Sequence, residues 1–85
     1  GNHEPIFITK NVKIDDMPKK VGKDNTHLKI SLIHEKFSFE AIGFNMANVF
    51  NKIIMHKKFD IVYQIKENNW NGLNSIQLLL KDIKF

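Results

Sequence analysis

Four histidines are the first candidates for catalysis or metal binding in this chain, and their spacing supports neither. His3, His27, His34 and His56 form no His-x-x-x-His or Asp-His-His grouping. Asp15-Asp16 is the one adjacent acidic pair, and on a lysine-rich stretch it reads as charge balance ahead of a metal site. Gly22 and Gly43 belong to no phosphate-cradling motif. With no cysteine there is no thiol nucleophile, thiolate metal site or disulfide framework. No catalytic residue, bound metal or cofactor is therefore expected in this chain.

The remaining chemistry is that of binding. All 13 basic residues are lysines, against 9 acids, for a formal charge of +4. Lysine is a compact point charge suited to phosphate, whereas reading guanine edges usually takes the arginine fork. A nucleic-acid partner would thus be read by backbone and shape more than by base sequence; the alternative is a solvated lysine surface. Six lysines (10, 13, 19, 20, 23, 29) and three acids (15, 16, 24) fall within residues 10–29, a local excess that supplies most of the net charge. Trp70, flanked by asparagines, is the single tryptophan.

Eighty-five residues, 42% hydrophobic and 26% charged, suit one globular domain around one core. Absence of cysteine fits a reducing, cytoplasmic setting. The apolar runs are too short to span a membrane, and no secretory leader is expected.

Alternation of apolar and polar residues marks the elements that must carry these side chains. Phe7 to Ile14 predicts a first strand. His27 to Ile33 predicts a second, with Leu28, Ile30 and Leu32 inward and His27, Lys29 and Ser31 outward. Phe37 to Phe44 predicts a third, with Phe37, Phe39 and Ala41 inward and Phe44 buried against the following helix. The short His34-Glu35-Lys36 break makes strands two and three a hairpin. Met46, Val49, Phe50, Ile53 and Ile54 then change the period to that of a helix of about three turns, with Asn45 as N-cap and Lys57-Lys58 at its end. Strand character returns at Phe59 to Lys66 and at Ser75 to Ile83, with Ile65, Ile76, Leu78 and Leu80 on inward positions. Asn71-Gly72 between them is a turn signal, because both residues tolerate positive φ.

The order β-β-β-α-β-β, with the helix between strands three and four, is that of the OB-fold: an all-β, five-stranded Greek-key barrel with one helix. An open sheet covered by one helix is the competing architecture. OB-folds bind oligonucleotides on strands two and three and through the loops joining strands one to two and four to five. Here those regions hold Lys19, Lys20 and Lys23, then His27 and Lys29, then Trp70 and Asn71. Lysines along a backbone beside an aromatic platform are what sequence-tolerant single-strand binding requires. Trp70 has a second reading, packing on Leu73 or Tyr63 at the barrel end.

Several short matches run through the chain in order. Gly1-Asn2-His3-Glu4-Pro5-Ile6-Phe7 resembles the Gly-Asn-Pro-Glu-Pro-x-Phe segment that follows the catalytic portion of RecJ-type exonucleases. Val21-Gly22-Lys23-Asp24 with His27-Leu28-Lys29 is similar to that family's Val-Gly and His-Leu-Lys stretch. Ala41-Ile42-Gly43-Phe44, Asn69-Trp70-Asn71-Gly72, Gln77-Leu78 and Lys81-Asp82-Ile83 resemble further stations of the same series. The departures are His3 in place of proline and a longer Asp15–Pro18 loop.

The resemblance implies an OB domain from a longer 5′-3′ single-stranded-DNA exonuclease of recombination and repair. The parent's manganese or magnesium ions would sit in catalytic domains outside this chain. It also implies single-stranded DNA and those catalytic domains as partners, with Lys19, Lys20, Lys23, His27, Lys29, Trp70 and Asn71 as contacts. The alternative from another class is an interaction module that packs on the catalytic core or a repair partner, using outward apolar residues such as Ile33, Ile42, Val62 and Leu79.

Overall fold

Strand β1 (Phe7–Ile14) changes partner part-way along its length, and that change closes the sheet. The computed structural model describes residues 4–85 apart from the Trp70 side chain, so the Gly1-Asn2-His3 part of the first matched segment lies outside the described residues. Phe7, Ile8, Thr9 and Val12 pair with β5 (Phe59–Trp70), while Lys13 and Ile14 pair with β3 (His27–His34). Between the two sets the register shifts at a bulge. Asn11 sits there with a φ of 62°, and its N–H donates to Asp60 Oδ1 at 3.0 Å. Asparagine tolerates this left-handed conformation better than most residues, and a bulge sharpens local twist. One strand thereby serves both edges of the barrel.

The remaining ladder runs β3 to β4 (Phe37–Gly43), β4 to β6 (Leu73–Lys84) in parallel, and β6 to β5. This closed circuit of five long strands is the OB-fold barrel. A sixth, short strand lies within the expected 15–26 loop: β2 (Lys19–Val21) pairs with the outer edge of β3. The helix accordingly follows the fourth strand in chain order, still between the same two long strands. Lys-Lys-Val has no apolar alternation, so only the exposed edge of β3 reveals it.

The two tight turns rest on positive φ. Glu35 (58°) turns β3 into β4, and Asn71 (50°) with Gly72 (78°) turns β5 into β6. Pairing continues up to Trp70↔Leu73, so the expected 67–74 loop is two strands and a two-residue turn.

Helical structure is shorter than its stripe predicts. A 3-10 turn (Ala47–Val49) leads into α1 (Phe50–Met55). Asn45 is not the N-cap: it is left-handed, with a φ of 57°, and neither helical segment has a side-chain cap. Ile53 is fully buried, while Met46, Val49 and Phe50 pack on the core from one barrel end. Ile54 is exposed, because the tighter 3-10 turn rotates the stripe past it.

The core is wholly apolar among the described residues: Val12, Leu28, Ile30, Leu32, Ala41, Ile53, Phe59, Ile61, Leu78, Leu80 and Ile83. Each buried Leu, Ile or Val contributes about 1.5–3 kcal/mol. Among the described residues nothing plugs the other end of the barrel. Phe37, Phe39, Ile65 and Ile76 hold the inward positions expected of them yet remain exposed, because β4, β5 and β6 extend past the closed part of the barrel.

Candidate nucleic-acid interface

The outer face of β3 is the platform on which the expected contacts must meet. Lys19 lies directly across from Lys29, and Lys29 in turn faces Ile42 on β4. Directly opposed strand residues share a face, and two like charges there repel. Their groove supplies the counter-charge: Asp16 and Glu40 line it together with Met17, Ile30 and Ser31. Glu40 Oε1 accepts the Ser31 hydroxyl at 2.9 Å, and Asp16 Oδ1 accepts the Met17 N–H at 2.8 Å. Ser38, further along β4, donates to Asp15 Oδ2 at 2.8 Å. This groove is mixed in charge, with two ammonium groups against two carboxylates.

His27 begins the row. Its Nδ1 accepts the Asn45 N–H at 3.0 Å, which in the neutral ring places the hydrogen on Nε2. The ring stands edge-on to Phe44, with centroids 5.1 Å apart and planes at 82°. Gly22, with a φ of 95°, approaches the ring so closely that a Cβ there would lie 2.5 Å from His27 Cδ2. Position 22 therefore requires glycine for both backbone and space. His27 is thus held from three sides, as a positioned ring rather than a free one.

Phe44 corrects an expectation. It is not buried against the helix but 52% exposed, beside His27. Alternation along β4 carries the signal, since Ser38, Glu40 and Ile42 are outward and Phe44 is the next position in that row. Sequence reasoning missed this aromatic by weighing its bulk above its parity.

Lys20 does not join the row. It pairs with Leu28, whose side chain is inward, and its Nζ lies 5.1 Å from the Phe50 ring centroid at the helix-plugged end. A cation–π contact at an exposed site is worth about 0.5–1 kcal/mol. Lys23 is exposed in the turn closed by Asn25 N–H to Gly22 O. Trp70 and Asn71 sit at the far tip of the β5–β6 arm. Leu73, paired with Trp70, is six residues along β6 from Leu79, the partner of Ile42, or roughly 20 Å at strand rise. The Trp70 side chain, and with it the choice between stacking and packing, lies outside the described groups. The structure thus groups Lys19, Lys29, His27 and Phe44, with Lys23 nearby in sequence, and sets Lys20 and the Trp70 turn apart.

The outward apolar residues Ile33, Ile42, Val62 and Leu79 are half-buried. Among the described residues no three His, Asp or Glu side chains are grouped to hold a metal ion, so the donor set does not fit one. No helix among them is long and apolar enough to cross a membrane.

A closed five-strand circuit, a plugging helix and a lysine-bearing sheet face meet their counterpart in sequence. The family model described as the RecJ OB domain matches residues 1–82. The chain belongs to the RecJ OB domain family. It is also similar to the single-stranded-DNA-specific exonuclease RecJ of Bacillus subtilis (strain 168), at 28% identity over 81 residues. That match covers 95% of this chain and 10% of the relative, so the chain spans about a tenth of the curated RecJ protein it matches. No solved structure matches it. Within this RecJ OB domain, the matched His27-Leu28-Lys29 and Ala41-Ile42-Gly43-Phe44 stretches are the two strands that carry the lysine and aromatic row.

Proposed function

We propose that this chain is the domain by which a RecJ-type 5′-3′ exonuclease holds single-stranded DNA, in the cytoplasm, during recombination and repair. The observation that carries the reading is the exposed Phe44 ring set against His27 at the end of the Lys19–Lys29 row. Lysines track phosphates, and an aromatic face takes a base of any identity, with stacking worth roughly 1–3 kcal/mol per base. With no arginine, the contact reads the strand without selecting its sequence. Cleavage, with its manganese or magnesium ions, belongs in this reading to catalytic domains beyond this chain.

Fluorescence anisotropy of a labelled oligothymidylate against the 85-residue chain tests the reading. Binding at low salt that weakens steeply as salt rises is expected, because phosphate contacts release counterions. A folded sample that leaves the oligonucleotide free at low salt would refute it.

A second reading is favoured by the exposed apolar residues at the barrel end away from α1. Phe39, Ile65 and Ile76 edge an apolar recess of about 360 Å³ floored by Leu32, Ile61 and Leu78. Exposed apolar patches of this kind mark contact surfaces, and the domain also packs here on the rest of its parent. Hydrogen exchange should then be slower at these residues in a full-length RecJ-type protein than in the 85-residue chain. Equal exchange would remove this second role.

A further inference from the structure

The barrel seam opened by the Asn11 bulge carries a second group of lysines outside the OB face. Lys13 stands directly opposite Ile33, the last outward residue of β3. Lys57 and Lys58 follow α1 and lead into β5, which β1 leaves at this point. These side chains line two adjoining grooves. One, of about 470 Å³, is formed by Asn11, Lys13, Ile33, His34, Glu35 and Lys58. The other, of about 350 Å³, is formed by Lys13, Ile14, His56, Lys57 and Lys58. Lys13 and Lys58 belong to both.

Charge separates this seam from the OB face. Three lysines line the two grooves with one carboxylate, Glu35; a second, Asp60, lies beside them and accepts the Asn11 N–H at 3.0 Å. Like charges gathered on groove walls raise the local potential and draw a multivalent anion. The polar groups beside them, Asn11 and His34, and the apolar Ile33 leave room for more than a point charge. Along β3, Ile33 is four residues from Lys29, or about 13 Å at strand rise. The seam therefore continues the outer face of the strand that carries the first lysine row.

We infer that the Lys13–Lys57–Lys58 seam is a second phosphate-binding station for single-stranded nucleic acid, on the same strand path as Lys29. This rests on the reading of the chain as a single-strand-holding domain. It deepens that reading by assigning the strongest phosphate contacts to the seam rather than to the expected loop lysines.

The test compares two charge-matched double variants of the 85-residue chain, Lys13→Glu/Lys58→Glu and Lys81→Glu/Lys84→Glu, with circular dichroism confirming the fold. One core draws on all five long strands and α1. Anisotropy with labelled oligothymidylate is measured at several salt concentrations. The seam variant should bind at least about tenfold more weakly than the β6 control, with a salt slope shallower by about 1.4, since each single-strand phosphate contact contributes about 0.7. If the glutamate variant does not fold, Lys13→Gln/Lys58→Gln is measured for the same loss. Seam and control variants within twofold of each other, while the native chain binds, would overturn the seam and spare the proposed function. A native chain that does not bind would overturn both. A labelled polyglutamate that loses affinity for the seam variant while the oligonucleotide does not would assign the seam to an acidic protein segment, and overturn the inference as well.

Discussion

The two ends of β3 both carry lysines, and their neighbours make them different surfaces. At the Lys29 end, each lysine has a carboxylate in the same groove, and an aromatic pair stands beside the row. At the Ile33 end, three lysines line the grooves with Glu35, while Asp60 is engaged by the Asn11 N–H, and the lining rings are those of His34 and His56. The first surface is balanced in charge and presents an exposed ring. The second is richer in lysine than in acid. Lysine count alone therefore does not set the charge of a surface; the acids that face each lysine decide it.

At the Lys29 end, the largest expected effect breaks the comparison at its first term. Lys19→Glu/Lys29→Glu leaves four carboxylates in one groove and should weaken oligonucleotide binding by about tenfold or more at low salt, measured by anisotropy. Equal binding would leave the OB face without a role in phosphate contact.

Neutralising the counter-charges, Asp16→Asn/Glu40→Gln, should make the first groove resemble the second. Affinity should rise about threefold to fivefold, with the salt slope steeper by about 0.7 for one added phosphate contact. No gain would mean that these carboxylates do not restrain Lys19 and Lys29.

Asp60→Ala removes the acceptor that holds the Asn11 bulge. It should cost about 1.5 kcal/mol in denaturant unfolding, the low end for a hydrogen bond to a charged group because this one is exposed. Amide chemical shifts should then move at Lys13 and Lys58 and stay still at Lys29. Shifts spread over both surfaces would show that the bulge shapes the whole barrel rather than its seam.

The smallest effect separates Lys20 from its neighbours. Lys20→Met should lower stability by about 0.5–1 kcal/mol through the Phe50 contact and leave oligonucleotide affinity within about twofold. A tenfold loss would return Lys20 to the binding surface.

Much of this was legible in the sequence because period-two alternation is a property of residues in order. Leu28, Ile30 and Leu32 face inward and His27, Lys29 and Ser31 outward, as their alternation predicts. What alternation does not report is where a barrel stops being closed. Phe39 and Ile76 have inward parity, but among the described residues no opposite wall covers them, so facing inward and being buried part company there. Phe44 shows the converse, since parity along β4 placed it outward while its size argued for burial. The pairing of β2, the 3-10 entry to α1 and the seam between β1 and β3 depend on contacts between distant segments. No local spacing encodes them.

The split loyalty of β1 has a kinetic consequence. Its β5 partners begin at Phe59, so this half of its pairing waits on a segment far along the chain. The β3–β4 hairpin, joined by two turn residues, needs no such wait. Long-range pairing of this kind slows folding, because loop closure must precede its reward. The hairpin that carries the lysine and aromatic row is thus expected to form early. The seam at its far end also needs β1 to dock, and is expected to form later.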